Sequence, residues 1–305
     1  MTKNLSAISH SGEPRRVEWD VVTGEEDHHA QAYSGATVES AMRSTLRAMP
    51  RDAELVVSVD GPDAETERAA RRVTDRRVVV RTDAVNRGTV ACMRRALEST
   101  DSELVARMDS DDISLPWRFR VGFRAVRHAD IVCGTGIRFG RGMLPRPGYP
   151  GSLTTREIGL LLPFVNPLFH SSMLATREAL VAADAYARPN TAEDYVLWLD
   201  ALRAGARIVK LATPVVAYRL SESQLSSSDT YLERIVSDPE IRRAWTAWAH
   251  ASGRPWLEAN GGVPGSIRGT RGQLEAIVAG VRPGTRHYAR RQLARAATLI
   301  PAPVC

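Results

Sequence analysis

Short apolar runs alternate with longer stretches whose apolar residues recur at helical spacing. Val17–Val22 reads as a strand, and after a polar loop Thr37–Met49 reads as a helix. ELVVSV at Glu54–Val59 has the continuous apolar character of a buried strand. Asp63 is an N-cap for a helix over Ala64–Val73, and RVVVR at Arg77–Arg81 is the next strand. A loop at Asn86–Gly88 opens into a helix over Thr89–Ser99. Leu104–Met108 is a further strand that runs directly into the acidic turn Asp109-Ser110-Asp111-Asp112. Ser114 and Pro116 start a helix to about His128, proline being tolerated in a first turn, and Ile131–Cys133 opens another strand.

Short strands separated by helices of this length predict an α/β fold with a mixed, mostly parallel sheet flanked by helices. Such sheets bind ligands at the carboxyl ends of their strands, where both Asp60 and Asp109 fall. Beyond residue 140 the pattern loosens. GRGMLPRPGYPG reads as a mobile loop, followed by a helix near Thr155–Leu162 and a strand over Phe169–Ala175. The amphipathic helix Ala192–Ala204 is closed by Gly205, and Ile208–Leu211 and Val215–Leu220 are two more strands. From Asp229 onward the pattern is helical, with Trp245 and Trp248 near the end of the first helix, and residues 261–305 are rich in Gly, Arg and Ala. Residues 1–15 read as a flexible leader.

Composition narrows this only a little. With 305 residues, 43% of them hydrophobic, the chain can bury a full core, and 25% charged residues are ordinary for a globular protein. The net charge of +6 points to anionic partners. Its excess is arginine, Lys3 and Lys210 being the lysines, a bias that argues little for nucleic acid, and none is expected as a partner. Cys92, Cys133 and Cys305 are widely spaced and form no CxxC pair, which favours a reducing compartment over a disulfide scaffold. No apolar h-region opens the chain and no run of about 18 apolar residues crosses it, so a cytoplasmic location is expected, or one at the inner face of a membrane.

Three carboxylates within four residues repel one another unless a cation intervenes. A hard divalent ion that takes one or two of them and completes its shell with phosphate and water resolves the conflict. A solvated turn in which Asp112 or Ser114 caps the next helix accounts for the spacing equally well; the preceding apolar strand favours the metal. Glu193-Asp194 opens a helix, where the dipole alone favours acids, yet Leu197, Trp198 and Leu202 turn that helix inward and a desolvated acid there can serve as a general base. Asp60 and Asn86-Arg87-Gly88 divide between turn chemistry and contacts to a nucleoside or phosphate. His170 in its strand reads as a core histidine, and His28-His29 as solvated.

The blocks ELVVSVDGPD, NRGTVACMRRAL, ARMDSDDISLPWRF, NPLFHSSMLATREAL, AEDYVLWLDALRAG and VVAYRLSESQLSS, in this order over residues 16–228, closely resemble family 2 glycosyltransferases. The resemblance implies the GT-A fold, a Rossmann-like sheet, with a nucleotide-sugar-binding half (16–135), an acceptor half (136–228) and a helical basic extension (229–305). It implies inverting transfer of a sugar from a nucleoside-diphosphate sugar to a hydroxyl acceptor, in polysaccharide, glycolipid or glycoconjugate synthesis, with Mn2+ or Mg2+. Carried over by position, Asp60, Asn86, Arg107, Asp109, Thr23 and Glu25 would meet the donor, and Asp111 with Asp109 the metal. Asp194 would deprotonate the acceptor with Glu193 beside it. Asp112, His170, Trp198 and Arg219 would support the turn or the acceptor.

The sequence departs from the family at two points. VVTGEEDHH stands where a Pro-x-Tyr-Asn-like turn is usual, and Leu220-Ser221 rather than a histidine follows Tyr218-Arg219. A nucleotidyltransferase would be expected to carry a Gly-rich phosphate loop near the first strand, and none is present at 17–36. An inactive nucleotide-sugar-binding protein would not need both acidic motifs. In the tail, Arg268, Arg271, Arg282, Arg286, Arg290, Arg291 and Arg295 stand against Glu275, and RHYARRQLARAATLI can form a basic helix suited to the surface of an anionic membrane.

Overall fold

The computed structural model describes residues 17–22, 35–140, 142–148, 151–163, 165–220, 234–235, 237–254 and 271–298. The leader, Thr23, Glu25 and His28-His29 lie outside the described residues.

Among the described residues nine strands form one sheet: β1 (Val17–Val22), β2 (Leu55–Val59), β3 (Val78–Thr82), β4 (Leu104–Asp109), β5 (Ile113–Ser114), β6 (Ile131–Gly140), β7 (Met143–Pro147), β8 (Leu174–Thr176) and β9 (Ile208–Arg219), in the order β3-β2-β1-β4-β8-β6-β9-β5 with β7 on β6. β1 to β4 run parallel, joined by α1 (Gly35–Ala48), α2 (Ala64–Arg71) and α3 (Thr89–Glu98). Asp63 caps α2 as expected, accepting from the N–H groups of Glu65 and Thr66. The chain builds outward from β1 to β3, then returns to the other side of β1 as β4. That reversal leaves a crevice between the carboxyl ends of β1 and β4, where Val22 pairs with Asp109. The acidic turn therefore begins at the switch point of the sheet.

The structure departs from the expected elements in four places. The mobile loop expected after residue 140 contains β7, which pairs antiparallel with β6. The strand expected over Phe169–Ala175 is a short 3-10 turn, His170–Ser172, followed by β8, which runs antiparallel between β4 and β6. The two late strands are one, β9, parallel to β6; a register shift around Thr135, opposite Pro214, absorbs the residue that cannot donate to the ladder. β5 is a two-residue strand on β9, so α4 starts later than expected, at Arg118–Ala125. Gly134 makes the β6–β9 approach feasible, since a Cβ there would lie 2.2 Å from a Val215 methyl.

Two apolar clusters face the sheet. One contains Met42, Leu55, Met108 and Phe119; the other contains Met93, Leu161, Trp198 and Trp245. The remaining helices are α5 (Thr155–Leu161), α6 (Arg177–Ala182), α7 (Glu193–Arg203), α8 (Pro239–Ala251), α9 (Arg271–Gly280) and α10 (Pro283–Thr298). Trp245 and Trp248 of α8 lie in the second cluster, with Trp245 stacked on Tyr195 at 6.3 Å. Ile277, Val278 and Val281 from the extension join the same cluster. Among the described residues no helix is long and apolar enough to cross a membrane.

One tail arginine meets the body of the protein directly. Arg282 donates from its N–H (2.8 Å) and Nε (3.0 Å) to the buried Glu157, whose other oxygen completes a capping box with Thr154. Burial raises the Glu157 carboxyl, but hydrogen bonds from Arg282 and Thr154 outweigh it and hold the group down at about 2. A carboxyl lowered on folding stabilises the protein above its unfolded pKa of roughly 4.3, and that contribution fades as pH falls towards 2. Glu157→Gln is expected to cost about 2 kcal/mol at pH 7, a value discounted for the exposed guanidinium, and the gap to wild type should shrink at pH 3. Thermal denaturation at the two pH values checks it.

Candidate active site

The acidic turn is held from several sides. The Asp109 N–H donates to the Ser171 hydroxyl at 3.1 Å, and the Asp112 N–H to the Asp109 carbonyl at 3.3 Å. Asp112 is fully buried and accepts from the Arg219 N–H at 2.8 Å, while Arg219 Nε donates to the Asp111 carbonyl at 2.8 Å. Arg219 also lies over the Phe139 ring at 4.7 Å. The end of β9 thus clamps the turn, and Asp112 is the residue it grips. Arg107 is buried, pairs with Asp109 at 2.8 Å and donates to the Met108 carbonyl. It faces the carboxylate of its own turn. Beneath it lies Arg118, buried and donating to the carbonyls of Arg107 (2.6 Å) and Met173 (3.3 Å); burial pushes its guanidinium down to about 9 although Asp112 and Asp109 oppose this.

The electrostatics of the turn ask for more positive charge than the protein supplies. Burial, then the neighbouring Asp109, pushes Asp111 up to about 7. Burial, then Asp111 and Asp109, pushes Asp112 well above the usual carboxylate range. Asp112 Oδ2 is buried with no partner at hydrogen-bonding distance.

On the side of β2, Asp60 is 4% exposed and accepts from the Arg87 N–H at 2.8 Å, which ties the Asn86-Arg87-Gly88 loop to the strand end. Gly61 adopts φ +85°, and a Cβ there would lie 3.0 Å from the Asn86 nitrogen. Asn86 itself accepts from the Gly88 N–H at 3.1 Å. Asp60 Oδ2 is buried and unpartnered, the kind of atom that a ligand completes. Among the described residues, the metal-type group whose ligand atoms lie within 4.8 Å of one another is Asp60, Asp83 and Cys92, rather than three carboxylates of the acidic turn. Within that group Asp83 is paired with Arg95 and accepts from the Cys92 thiol at 3.4 Å.

Across the sheet, Glu193 and Asp194 open α7 as expected. Asp194 accepts from the Tyr195 N–H and from Asn166 Nδ2, both at 2.7 Å. Burial, then the charge of Glu193, pushes its carboxyl up to about 6. Glu193 behaves oppositely: burial raises it, but His170 and Arg107 outweigh that and leave it below the ordinary glutamate value. His170 Nδ1 faces Glu193 at 3.6 Å and His170 Nε2 lies 2.8 Å from the Tyr186 hydroxyl. Trp198 is fully buried and meets the His170 ring edge-on at 5.8 Å; it offers no surface to an acceptor and acts as support. The turn His170–Ser172 joins the two carboxylate groups, since His170 faces Glu193 and Ser171 takes the Asp109 N–H.

Asn166, Ser171, Arg118 and Tyr186 were not singled out in the sequence. The first two lie in the block NPLFHSS and Arg118 in PWRF, but nothing local marks a side chain that will turn towards a carboxylate distant in sequence.

A mixed sheet with an acidic turn at its switch point, and a second acidic pair on a helix beyond it, defines a GT-A-type glycosyltransferase. The model of glycosyl transferase family 2 matches residues 31–183, half of the chain, and the chain belongs to that family. It is 27% identical over 216 residues to the O-antigen biosynthesis glycosyltransferase WbnJ of Escherichia coli, covering 68% of this chain and 82% of that protein. It is 25% identical over 197 residues to the amylovoran biosynthesis glycosyltransferase AmsE of Erwinia amylovora, covering 62% and 71%. In structure it resembles S. aureus TarS 1-349 in complex with UDP-GlcNAc, with a TM-score of 0.62 at 17% identity, covering 92% of this chain and 89% of that one. It also resembles the mannosyltransferase PcManGT of Pyrobaculum calidifontis in complex with GDP-Man and Mn2+, with a TM-score of 0.55 at 16% identity, covering 95% and 81%. The structural likenesses speak for the fold. The chain is a glycosyltransferase rather than a nucleotidyltransferase.

Proposed function

We propose that this protein moves a sugar from a nucleoside-diphosphate sugar to a hydroxyl acceptor in a single inverting displacement, in the synthesis of a polysaccharide or related glycoconjugate. The observation that carries the reading is the pairing, through one short turn, of an overcharged acidic turn with a desolvated carboxylate. The relatives named for O-antigen and amylovoran biosynthesis support the product class.

A divalent cation fits the turn. Asp111 and Asp112 are pushed up by burial and by like charge, and a cation relieves both. Asp111, with Asp109, would hold Mn2+ or Mg2+, which supplies charge to offset that growing on the leaving diphosphate. Asp112 and Arg219 brace the turn, and Arg107 holds Asp109. Asp60, with its unpartnered oxygen, and Asn86 receive the nucleoside, with Thr23 and Glu25 as further contacts. Asp194 takes the proton of the acceptor hydroxyl, aimed by Asn166 and the Tyr195 N–H. Glu193 and His170 line the acceptor side. Arg290 and Arg291, exposed on α10, are the part of the tail that would meet an anionic membrane.

A thermal-shift panel of UDP-, GDP- and TDP-sugars with and without manganese tests the donor half. One donor is expected to raise the melting temperature by about 4 °C at a hundredfold excess over Kd, and only with metal. No metal-dependent shift with any donor would overturn it.

A further inference from the structure

Among the described residues two that are not glycine have positive φ, Asp184 at 51° and Tyr186 at 58°. The first is explained locally. It ends α6 in a Schellman arrangement, with the Asp184 N–H on the Val181 carbonyl and the Ala185 N–H on the Leu180 carbonyl, both at 3.0 Å. Tyr186 lies beyond that motif, and an aromatic residue in the left-handed region is held there only when its surroundings require it. What the conformation achieves is visible: the buried Tyr186 side chain reaches His170 Nε2 at 2.8 Å. The opposite ring nitrogen faces Glu193 at 3.6 Å, and Trp198 holds the ring edge-on at 5.8 Å.

We propose that Tyr186 is a positioning residue for glycosyl transfer: its hydroxyl donates to His170 Nε2 and so fixes the proton of the neutral ring on Nδ1, facing Glu193. The inference rests on Asp194 acting as base. In a neutral imidazole one nitrogen donates and the other accepts, so a donor held against Nε2 decides which nitrogen carries the proton. Nδ1–H then faces a carboxylate and favours its ionised form. An ionised Glu193 next to Asp194 in turn keeps Asp194 a strong base. Arg107 and the backbone at Glu193 also favour an ionised Glu193, and Asn166, the Tyr195 N–H and any positive charge on His170 favour an ionised Asp194. Apart from that charge, none of these acts through Nε2. The 3.6 Å separation is long for a hydrogen bond, as catalytic contacts often are before the substrates bind.

Tyr186→Phe keeps the ring and removes only the donor. Two measurements test it. In nitrogen-15 spectra of the histidine-labelled wild type at pH 8, the His170 proton is expected on Nδ1, and the variant is expected to shift towards the Nε2-protonated form. A wild-type ring protonated on Nε2, alone or together with Nδ1, would overturn the inference whatever the activity. In steady-state assays the variant is expected to lose about tenfold in kcat with the donor KM unchanged. The acid limb of its pH profile should move to lower pH, because a proton that settles on Glu193 makes Asp194 a weaker base. A variant that melts at a lower temperature but keeps the wild-type kcat and profile would make Tyr186 purely structural and overturn the inference alone. A wild type that transfers no sugar from any donor would remove the transfer reading and this inference with it.

Discussion

Asp194→Asn is expected to lower kcat by about 10²–10⁴-fold while leaving donor binding intact. The two oxygens of Asp194 are held by the Tyr195 N–H and by Asn166, so an asparagine at this position keeps the shape and most of the orientation but has no basic atom to offer. One amide hydrogen will face a donor, so a melting point a few degrees lower is expected as well. The donor turn is built on β4 and β9, not on α7, and metal-dependent stabilisation by the donor should persist in the variant. Wild-type turnover in Asp194→Asn would remove Asp194 as the base. The pH profile gives a second measurement on the same residue. A base must be ionised to act, so kcat should fall below an apparent pKa near 6, the position to which burial and Glu193 raise Asp194. An unperturbed carboxyl would place that limb near 4. Because Glu193 and Asp194 interact, the limb belongs to the pair.

Asp111→Asn is expected to remove the metal-dependent part of donor binding and, with it, most of the activity. The same change should stabilise the metal-free protein. Asp111 is 6% exposed, and its carboxyl is raised to about 7 by burial and by Asp109. A carboxyl raised on folding weakens the fold when ionised. The penalty grows as pH rises from the unfolded value, about 4, and is complete above about 7. Removing the charge is therefore expected to raise stability at pH 8 by on the order of 2–4 kcal/mol, and by little at pH 4. Denaturant titration of the metal-free proteins at both pH values checks the sign. Equal stability at pH 8 would mean that the turn carries no stored repulsion and gives a cation nothing to relieve. A variant that is more stable at pH 8 but inactive would show the trade between stability and activity that strained functional sites impose.

The first half of the chain was the more legible in the sequence because its elements are local. ELVVSV and LVARMD are short apolar runs bounded by polar residues, and Asp63 and Thr89 stand where helices begin. Burial and hydrogen bonding in such elements follow from residues a few positions apart. The second half was harder for the opposite reason. FHSSMLA looks like a strand by composition, yet it holds a 3-10 turn because His170 and Ser171 are drawn to Glu193 and Asp109, and β8 has only three residues. Met143–Pro147, rich in proline and glycine neighbours, pairs with β6 all the same because a tertiary partner is present. Thr23 and Glu25 fall outside the described residues and remain assignments by resemblance.

For the acidic turn, spacing alone left a capped turn and a metal site open, and the run of apolar residues before it favoured the metal by placing the turn at a strand's end. The identity of the fold, the order of the acidic motifs and the nature of the enzyme were all readable from the chain. Which carboxylates share which burden was not. The tertiary structure decides that Asp112 faces Arg219, that Asp109 faces Arg107, that Asp60 retains an oxygen without a partner, and that a tyrosine in a left-handed conformation reaches His170. The reason is physical. A pattern of residue types specifies which segments are buried, but the charge a carboxyl carries depends on the few ångströms of protein around it, and those neighbours come from segments as much as 125 residues apart.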